Sequence, residues 1–217
     1  MLRLGVDAEA IPFFRRKKSE HELRLLQIAT LREKKGHIYT VRSFADALET
    51  CPNMSLTIVG SNEHNGVKEE IDRFIDENGI SKKVTLMDWI DFSRLHEFMK
   101  EYHVFIHPSC YSKERDCEGG APIVLLDAQA TGMPVISTTH CDIPDEVIDC
   151  ETGLLTPEKD VEALSNSISS FYRMNQLEYG SFAENARSHV LEKYNIRINS
   201  AYLRRAYEQV ASATQAL

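Results

Sequence analysis

Short apolar runs alternate with longer stretches of helical spacing along most of this chain, and that alternation restricts the fold more than any single motif. Leu23–Ala29, Leu56–Val59, Val84–Met87, Val104–His107, Pro134–Thr138 and Gly153–Leu155 read as buried strands. His37–Thr50 carries Ile38, Val41, Phe44, Ala45 and Leu48 at helical spacing, and Val67–Asn78 carries Ile71, Phe74 and Ile75 before a closing Gly79. Phe92–Tyr102 and a short Asp142–Ile148 read as further helices, and Val161–Arg173, Phe182–Tyr194 and Ile196–Ala213 close the chain. Strands joined by helices need right-handed crossovers and a sheet covered on both sides. The pattern predicts an α/β, Rossmann-like, doubly wound parallel sheet of about six strands, with helices on both faces and extra C-terminal helices.

In such sheets ligands collect at the carboxyl ends of the strands. The loops there are 30–36, 60–66, 88–91, 108–121 and 138–144, which hold Lys34, Lys35, Trp89, Glu118 and His140. The densest segment is Cys110–Thr138. Pro122 suits a first helical turn, Ile123–Ala130 is almost all apolar, and Gly132 and Pro134 end the helix. Two acids interrupt this unit, Glu118 and Asp127, and a carboxylate in such surroundings costs free energy unless something satisfies it. The plain reading of Asp127 is the solvent edge of the helix. The sharper reading has both acids facing a polar ligand over the Gly119-Gly120 turn. Bare amides at Gly119, Gly120 and Ala121, at a helix start, suit an anion, although two glycines also serve a tight turn alone. Lys35, unless simply exposed, reaches the same anion, and Arg32 offers a bidentate phosphate partner. Together they suggest a diphosphate. Asp127 then suits ribose hydroxyls, and Trp89 or Ile90 a base, with a core anchor as the other role for Trp89.

Composition narrows the classes. At 217 residues the chain makes one large domain or slightly more, and its net charge of −8 argues against nucleic acid as a partner. Arg15–Lys18 reads as a solvated basic face, with a phosphate or anionic-membrane contact as the lesser alternative. No apolar run matches a bilayer span and no signal peptide is visible. Cysteines 51, 110, 117, 141 and 150 form neither a disulfide framework nor a zinc spacing, and suit reduced thiols in a cytoplasm. Cys117 reads as incidental rather than reactive. A Walker lysine motif, a G-x-G-x-x-G and a nucleophile elbow are all missing from the sequence. His103 and His107 sit on one strand, about 13 Å apart, so they are expected to be ordinary, satisfied histidines, and no metal site is expected.

The segments LGVD, REKKG, LTIVG, VTLMDWI, VFIHPS, EGGAPIVLLDAQATGMPVIST, DIPDEV and ETGLL, in this order and spacing, resemble the C-terminal, donor-binding half of retaining GT-B glycosyltransferases of the group 1 class. The resemblance implies a donor-sugar contact at Glu118 and a ribose contact at Asp127. Eight residues (119–126) separate these acids, one more than in the family pattern, and Asp127 stands where Glu is usual. The family's diphosphate-binding Arg and Lys fall at Thr30 and Lys35, with Arg32 as a substitute for the missing arginine. Glu118 and Lys35 are thus the expected catalytic residues. Thr30, Arg32, Trp89, Ile90, Gly119, Gly120, Ala121, Pro122, Ile123 and Asp127 are the expected donor contacts. The implied donor is a UDP-, GDP- or ADP-linked sugar, with no cofactor and no metal. The implied acceptor is a glycan or lipid-linked molecule held by a missing N-terminal domain. Residues 1–22 would be an interdomain linker remnant, 23–195 the nucleotide-sugar-binding domain, and 196–217 a helix crossing to the missing domain. Such a piece would bind its donor but transfer little alone. The expected location is cytoplasmic, at most peripheral at the inner face of the membrane. Half of a nucleotide-sugar epimerase and a non-catalytic nucleotide-binding module are the competing classes. A flavodoxin-like receiver would want acids where 30–36 is basic.

Overall fold

The computed structural model describes residues 5–62 and 66–215. Leu4 of the LGVD segment, the rest of residues 1–4, residues 63–65 of the 60–66 loop and residues 216–217 lie outside the described residues. Strands β1 (Leu23–Ile28), β2 (Met54–Val59), β3 (Val84–Met87), β4 (Val104–His107), β5 (Val135–Thr138) and β6 (Gly153–Thr156) form one sheet in the order β3-β2-β1-β4-β5-β6. Every pairing is parallel, with Leu25 opposite Leu56 on one side and Val104 on the other. This is the expected doubly wound sheet, and its order reverses between β1 and β4.

Alternate side chains of the strands feed two cores. Leu25, Leu56 and Ile58 pack with Phe44 and Phe171 under α1 (His37–Leu48), α2 (Val67–Glu77) and α6 (Val161–Arg173). Leu26, Val59, Phe105 and Val135 pack with Leu95 and Leu125 under α3 (Leu95–Met99), α4 (Val124–Ala130) and α5 (Ile143–Glu146). The Phe92–Tyr102 helix is shorter than its periodicity suggests. The Asp91 carboxylate accepts from the Ser93 amide and starts a 3-10 turn over Phe92–Arg94, leaving one α-turn and a half for α3. Conversely, α7 (Gln176–Lys193) begins six residues before Phe182. Asn175 accepts from the Leu177 and Glu178 amides while Glu178 returns a bond to the Asn175 amide, a complete capping box. A final helix, α8 (Ile196–Gln215), leaves Ile196, Ile198, Tyr202, Leu203 and Tyr207 exposed.

Arg15–Lys18 is a solvated basic face only at Arg15 and Lys17. Residues 13–18 run as a strap over the domain, and alternate members turn inward. Arg16 is 7% exposed and Lys18 4%. Arg16 donates to the Thr131 carbonyl (2.7 Å), the Thr131 hydroxyl (2.9 Å) and the Met99 carbonyl (3.1 Å). Lys18 donates to the carbonyls of Tyr172 (3.1 Å) and Met174 (2.8 Å). Both cations satisfy backbone acceptors at helix ends, the place where positive charge is favoured. Farther back, Val6 bridges Asn195, and Arg197 forks onto Asp7 with two 3.0 Å bonds.

Two enclosed histidines make the fold acid-sensitive. Burial holds both His37 and His103 down to about 3, and the Arg24 guanidinium adds to the effect at His103. Each is neutral when folded and regains an ordinary pKa when unfolded. Their contribution is therefore complete above about pH 6.5 and is lost as pH falls toward 3. Urea denaturation between pH 7.5 and 4.5 should show uptake of up to about two protons on unfolding, each worth about 1.4 kcal/mol per pH unit. A midpoint that stays constant over this range refutes the assignment.

Candidate functional site

The order reversal between β1 and β4 places two loops side by side, and the candidate site is built where they meet. After β1 the chain turns through a 3-10 segment, Glu33–Lys35, to Gly36. Gly36 adopts φ +69°, and a Cβ there would strike the Pro108 carbonyl, so only glycine lets the two loops approach this closely. Gln27 on β1 donates from Nε2 to the Lys35 carbonyl (2.9 Å), and the Cys110 amide donates to the Lys34 carbonyl (2.9 Å). Lys34 then reaches across to the Cys117 carbonyl (2.8 Å) and the Asp116 carboxylate (3.1 Å).

These contacts present Lys35 to Glu118. Lys35 Nζ lies 2.6 Å from Glu118 Oε2, and Ser109 Oγ donates to Glu118 Oε1 at 2.7 Å. The His107 imidazole sits behind, with Nε2 at a longer 3.5 Å from Oε1. The Glu118 side chain is only 6% exposed. Burial alone would raise its pKa, but the contacts from His107, Lys35 and Ser109 outweigh burial and bring it down to about 2. The carboxylate is therefore charged, buried and fixed. With eight residues between the two acids, Glu118 still meets Lys35. The neighbouring Gly119 takes φ +73°, and among the described residues no atom beyond the adjacent ones lies within 4 Å of where a Cβ on Gly119 or Gly120 would stand.

At the same carboxyl edge of the sheet opens a cavity of about 960 Å³ lined by Thr30, Gly60, Ser61, Asp88, Trp89, Ile90, His96, Ile123 and Asp127, among others, though not by Lys35 or Glu118. Asp127 is 8% exposed, so it is not on the solvent edge of α4, and its Oδ1 accepts from His96 Nε2 at 2.9 Å. Trp89 is 73% exposed at the cavity wall, which removes the core-anchor reading. Arg32 does not line this cavity; it lines a smaller cleft of about 370 Å³ with Lys34, Ser112 and Asp116. Ala121 packs against the second core and Pro122 gives its carbonyl to the Leu125 amide, so these two shape the start of α4.

Three contributors escaped the sequence reading. His96 stands four residues past the predicted helix start, where nothing marks it as facing Asp127. Ser109 follows Pro108 in an unremarkable position. His107 is not the ordinary satisfied histidine expected: it backs Glu118, and period-2 counting along β4 with the strand direction was the available signal. His103 fits the expectation better, since its Nδ1 accepts from the Arg24 amide (3.1 Å).

The family model for glycosyl transferases group 1 matches residues 10–189. The chain belongs to this family. As a group 1 glycosyltransferase sequence it is 26% identical over 215 residues to the putative colanic acid biosynthesis glycosyltransferase WcaL of Escherichia coli, covering 99% of this chain and 50% of that one. Among solved structures, it is similar to the sucrose-phosphate synthase of Thermosynechococcus elongatus, with a TM-score of 0.78 and 23% identity over 98% of this chain and 52% of that chain. It is also similar to Anabaena HepE in complex with UDP and glucose, with a TM-score of 0.71 and 16% identity over 91% of this chain and 49% of that chain. These likenesses place the fold among GT-B enzymes. The chain spans about half the length of each of these three proteins.

Proposed function

We propose that this chain is the donor-binding half of a retaining, metal-independent glycosyltransferase that uses a nucleotide-diphosphate sugar. The observation that carries the reading is the Lys35–Glu118 pair, held at the order reversal of the sheet, on the same carboxyl edge as the cavity that contains Asp127. Lys35, with the Gly119-Gly120 turn, meets the diphosphate and stabilises the charge that grows on it as the glycosidic bond breaks. Glu118 meets the hydroxyls of the donor sugar. Asp127, oriented by His96, takes the ribose hydroxyls, and the Trp89–Ile90 wall with Ile123 flanks the base. Thr30 lines the cavity where the family arginine would stand, while Arg32 contributes from the adjacent cleft. The match to WcaL supports polysaccharide biosynthesis, and the likeness to the UDP-bound HepE supports a nucleotide-sugar donor.

On this reading the acceptor, a glycan or lipid-linked molecule, is held by an N-terminal domain. Residues up to 22 serve as the connection to it and α8 crosses back onto it with its exposed apolar residues. Without that domain, water reaches the donor and transfer is weak. Among the described residues no helix is long and apolar enough to cross a membrane. We place the enzyme in the cytoplasm, at most peripheral to the membrane.

Calorimetric titration with UDP-, GDP- and ADP-sugars tests the reading. One nucleotide class should bind, and Asp127→Asn should weaken it by roughly 1–3 kcal/mol through loss of a charged acceptor. Failure of all three classes to bind defeats the proposal.

A further inference from the structure

We propose that Cys117, His140 and Cys141 form a site for a thiophilic divalent cation of the zinc class, set directly behind the Glu118 loop. The three residues come from two loops. Cys117 precedes Glu118 after β4, whereas His140 and Cys141 follow β5. Their ligating atoms all lie within 4.8 Å of one another, and His140 Nε2 is 3.2 Å from Cys141 Sγ. A tetrahedral zinc centre, with Zn–S about 2.3 Å and Zn–N about 2.0 Å, sets its ligands roughly 3.5–4 Å apart. The observed cluster therefore needs only small side-chain movements to close on an ion. Two sulfurs and one imidazole form a donor set that favours zinc over magnesium or calcium.

The imidazole is already arranged as a ligand. His140 is fully buried, and its Nδ1 lies 2.7 Å from Glu158 Oε1. A carboxylate oxygen accepts, so the proton sits on Nδ1 and leaves Nε2 as the acceptor, 3.2 Å from Cys141 Sγ. This is the carboxylate–histidine arrangement that orients metal-bound imidazoles. Cys141 is held at φ +48°, a conformation that a cysteine adopts at some cost and that keeps it beside the ring. Both cysteines are partly exposed, which gives an ion a path from solvent and leaves a fourth position for water. Irregular cysteine spacing hid this cluster in the sequence, because the fold and not a local motif assembles it. The proposed transfer uses none of the three side chains.

Binding converts two thiols to thiolates and releases their two protons to solvent. It also takes Nε2 away from the Glu118 amide, which now donates to it at 3.2 Å, and tethers residue 117. The loop carrying Glu118, Gly119 and Gly120 is then held in one position. Reduced donor affinity in the loaded protein follows, and this last step alone rests on the donor-site reading above.

The full chain, kept reduced, should be titrated with Co2+ as a probe and Zn2+ as competitor. One equivalent of Co2+ should give thiolate-to-metal charge-transfer absorption that Zn2+ abolishes. Cys117→Ser and Cys141→Ser should each weaken binding at least tenfold, Glu158→Gln should weaken it about tenfold or more, and the control Cys51→Ser/Cys150→Ser should retain it. Unchanged thermal unfolding of the serine variants shows that the fold is intact. No charge-transfer band in the wild type, or a band that survives both single serine variants, overturns the site. Nucleotide-sugar titrations with and without Zn2+ complete the test. Cation uptake in a protein that binds no nucleotide sugar in either state supports the cation site while removing the donor reading.

Discussion

Lys35→Ala should cost the fold about 2–4 kcal/mol at neutral pH and remove measurable donor binding. Glu118 is almost fully enclosed, and its charge depends on Lys35 at 2.6 Å, Ser109 at 2.7 Å and the more distant His107. Removing one partner of a buried pair leaves the other charge uncompensated, which is worse than removing both. The Ser109 bond survives, and the Lys35 side chain is 18% exposed, so the loss falls toward the lower part of the range for a buried pair. Glu118 has a depressed pKa in the folded state, so its contribution is complete above about 4.5 and is lost as pH falls toward 2. The gap between wild type and Lys35→Ala should therefore narrow as the solution is acidified. The double variant Lys35→Met/Glu118→Gln should recover part of the stability without recovering donor affinity. Urea denaturation at pH 7.5 and pH 4 checks the first claim and calorimetry the second. A Lys35→Ala protein as stable as wild type would show that Glu118 is not held as described.

Arg16→Ala should destabilise the domain by about 2–4 kcal/mol while leaving nucleotide-sugar affinity unchanged. Arg16 fills a buried slot between the 13–18 strap, the end of α4 and the end of α3, and donates to three acceptors there. Alanine removes the Arg16 bonds to the Thr131 hydroxyl and to the Thr131 and Met99 carbonyls, which keep only the Phe14 and Tyr102 amides, and it opens a cavity where the guanidinium lay. Lysine supplies a single point charge rather than a planar fork, so Arg16→Lys should recover less than half of the loss. Thermal unfolding of the two variants decides the matter. Equal melting temperatures for wild type and alanine would mean that the strap contributes nothing to the fold.

The contrast between these two residues shows what the sequence carried. Lys35 was legible because Gly36, the following helix and the preceding strand placed it at the ligand edge of a parallel sheet. Its partner Glu118 was legible because a charge stood inside an apolar unit next to paired glycines. The strands were readable for a related reason: Leu25 and Leu26 both face cores, so apolar residues stand on both faces of β1 despite Arg24 and Gln27. Arg16 was not legible. A buried cation and a solvated one look alike in a run such as RRKK, and only the positions of distant carbonyls tell them apart. His96 escaped for the same reason, since its partner Asp127 is 31 residues away and meets it only across the cavity. The start of α7 was visible in principle, because Asn175 and Glu178 form a local capping signature, but Gly180 and the exposed Leu177 obscured it.

The bridge between Val6 and Asn195 has a mechanical meaning. The two segments run parallel, with the Val6 amide donating to the Tyr194 carbonyl and the Ile196 amide donating to the Val6 carbonyl. The Arg197 fork onto Asp7 lies alongside them. Tension drawn backward from Gly5 and forward along α8 would load these bonds together, in shear, instead of peeling them one after another. Segments 5–9 and 195–197 therefore behave as a single rivet, and a torque delivered through either is shared at once by both.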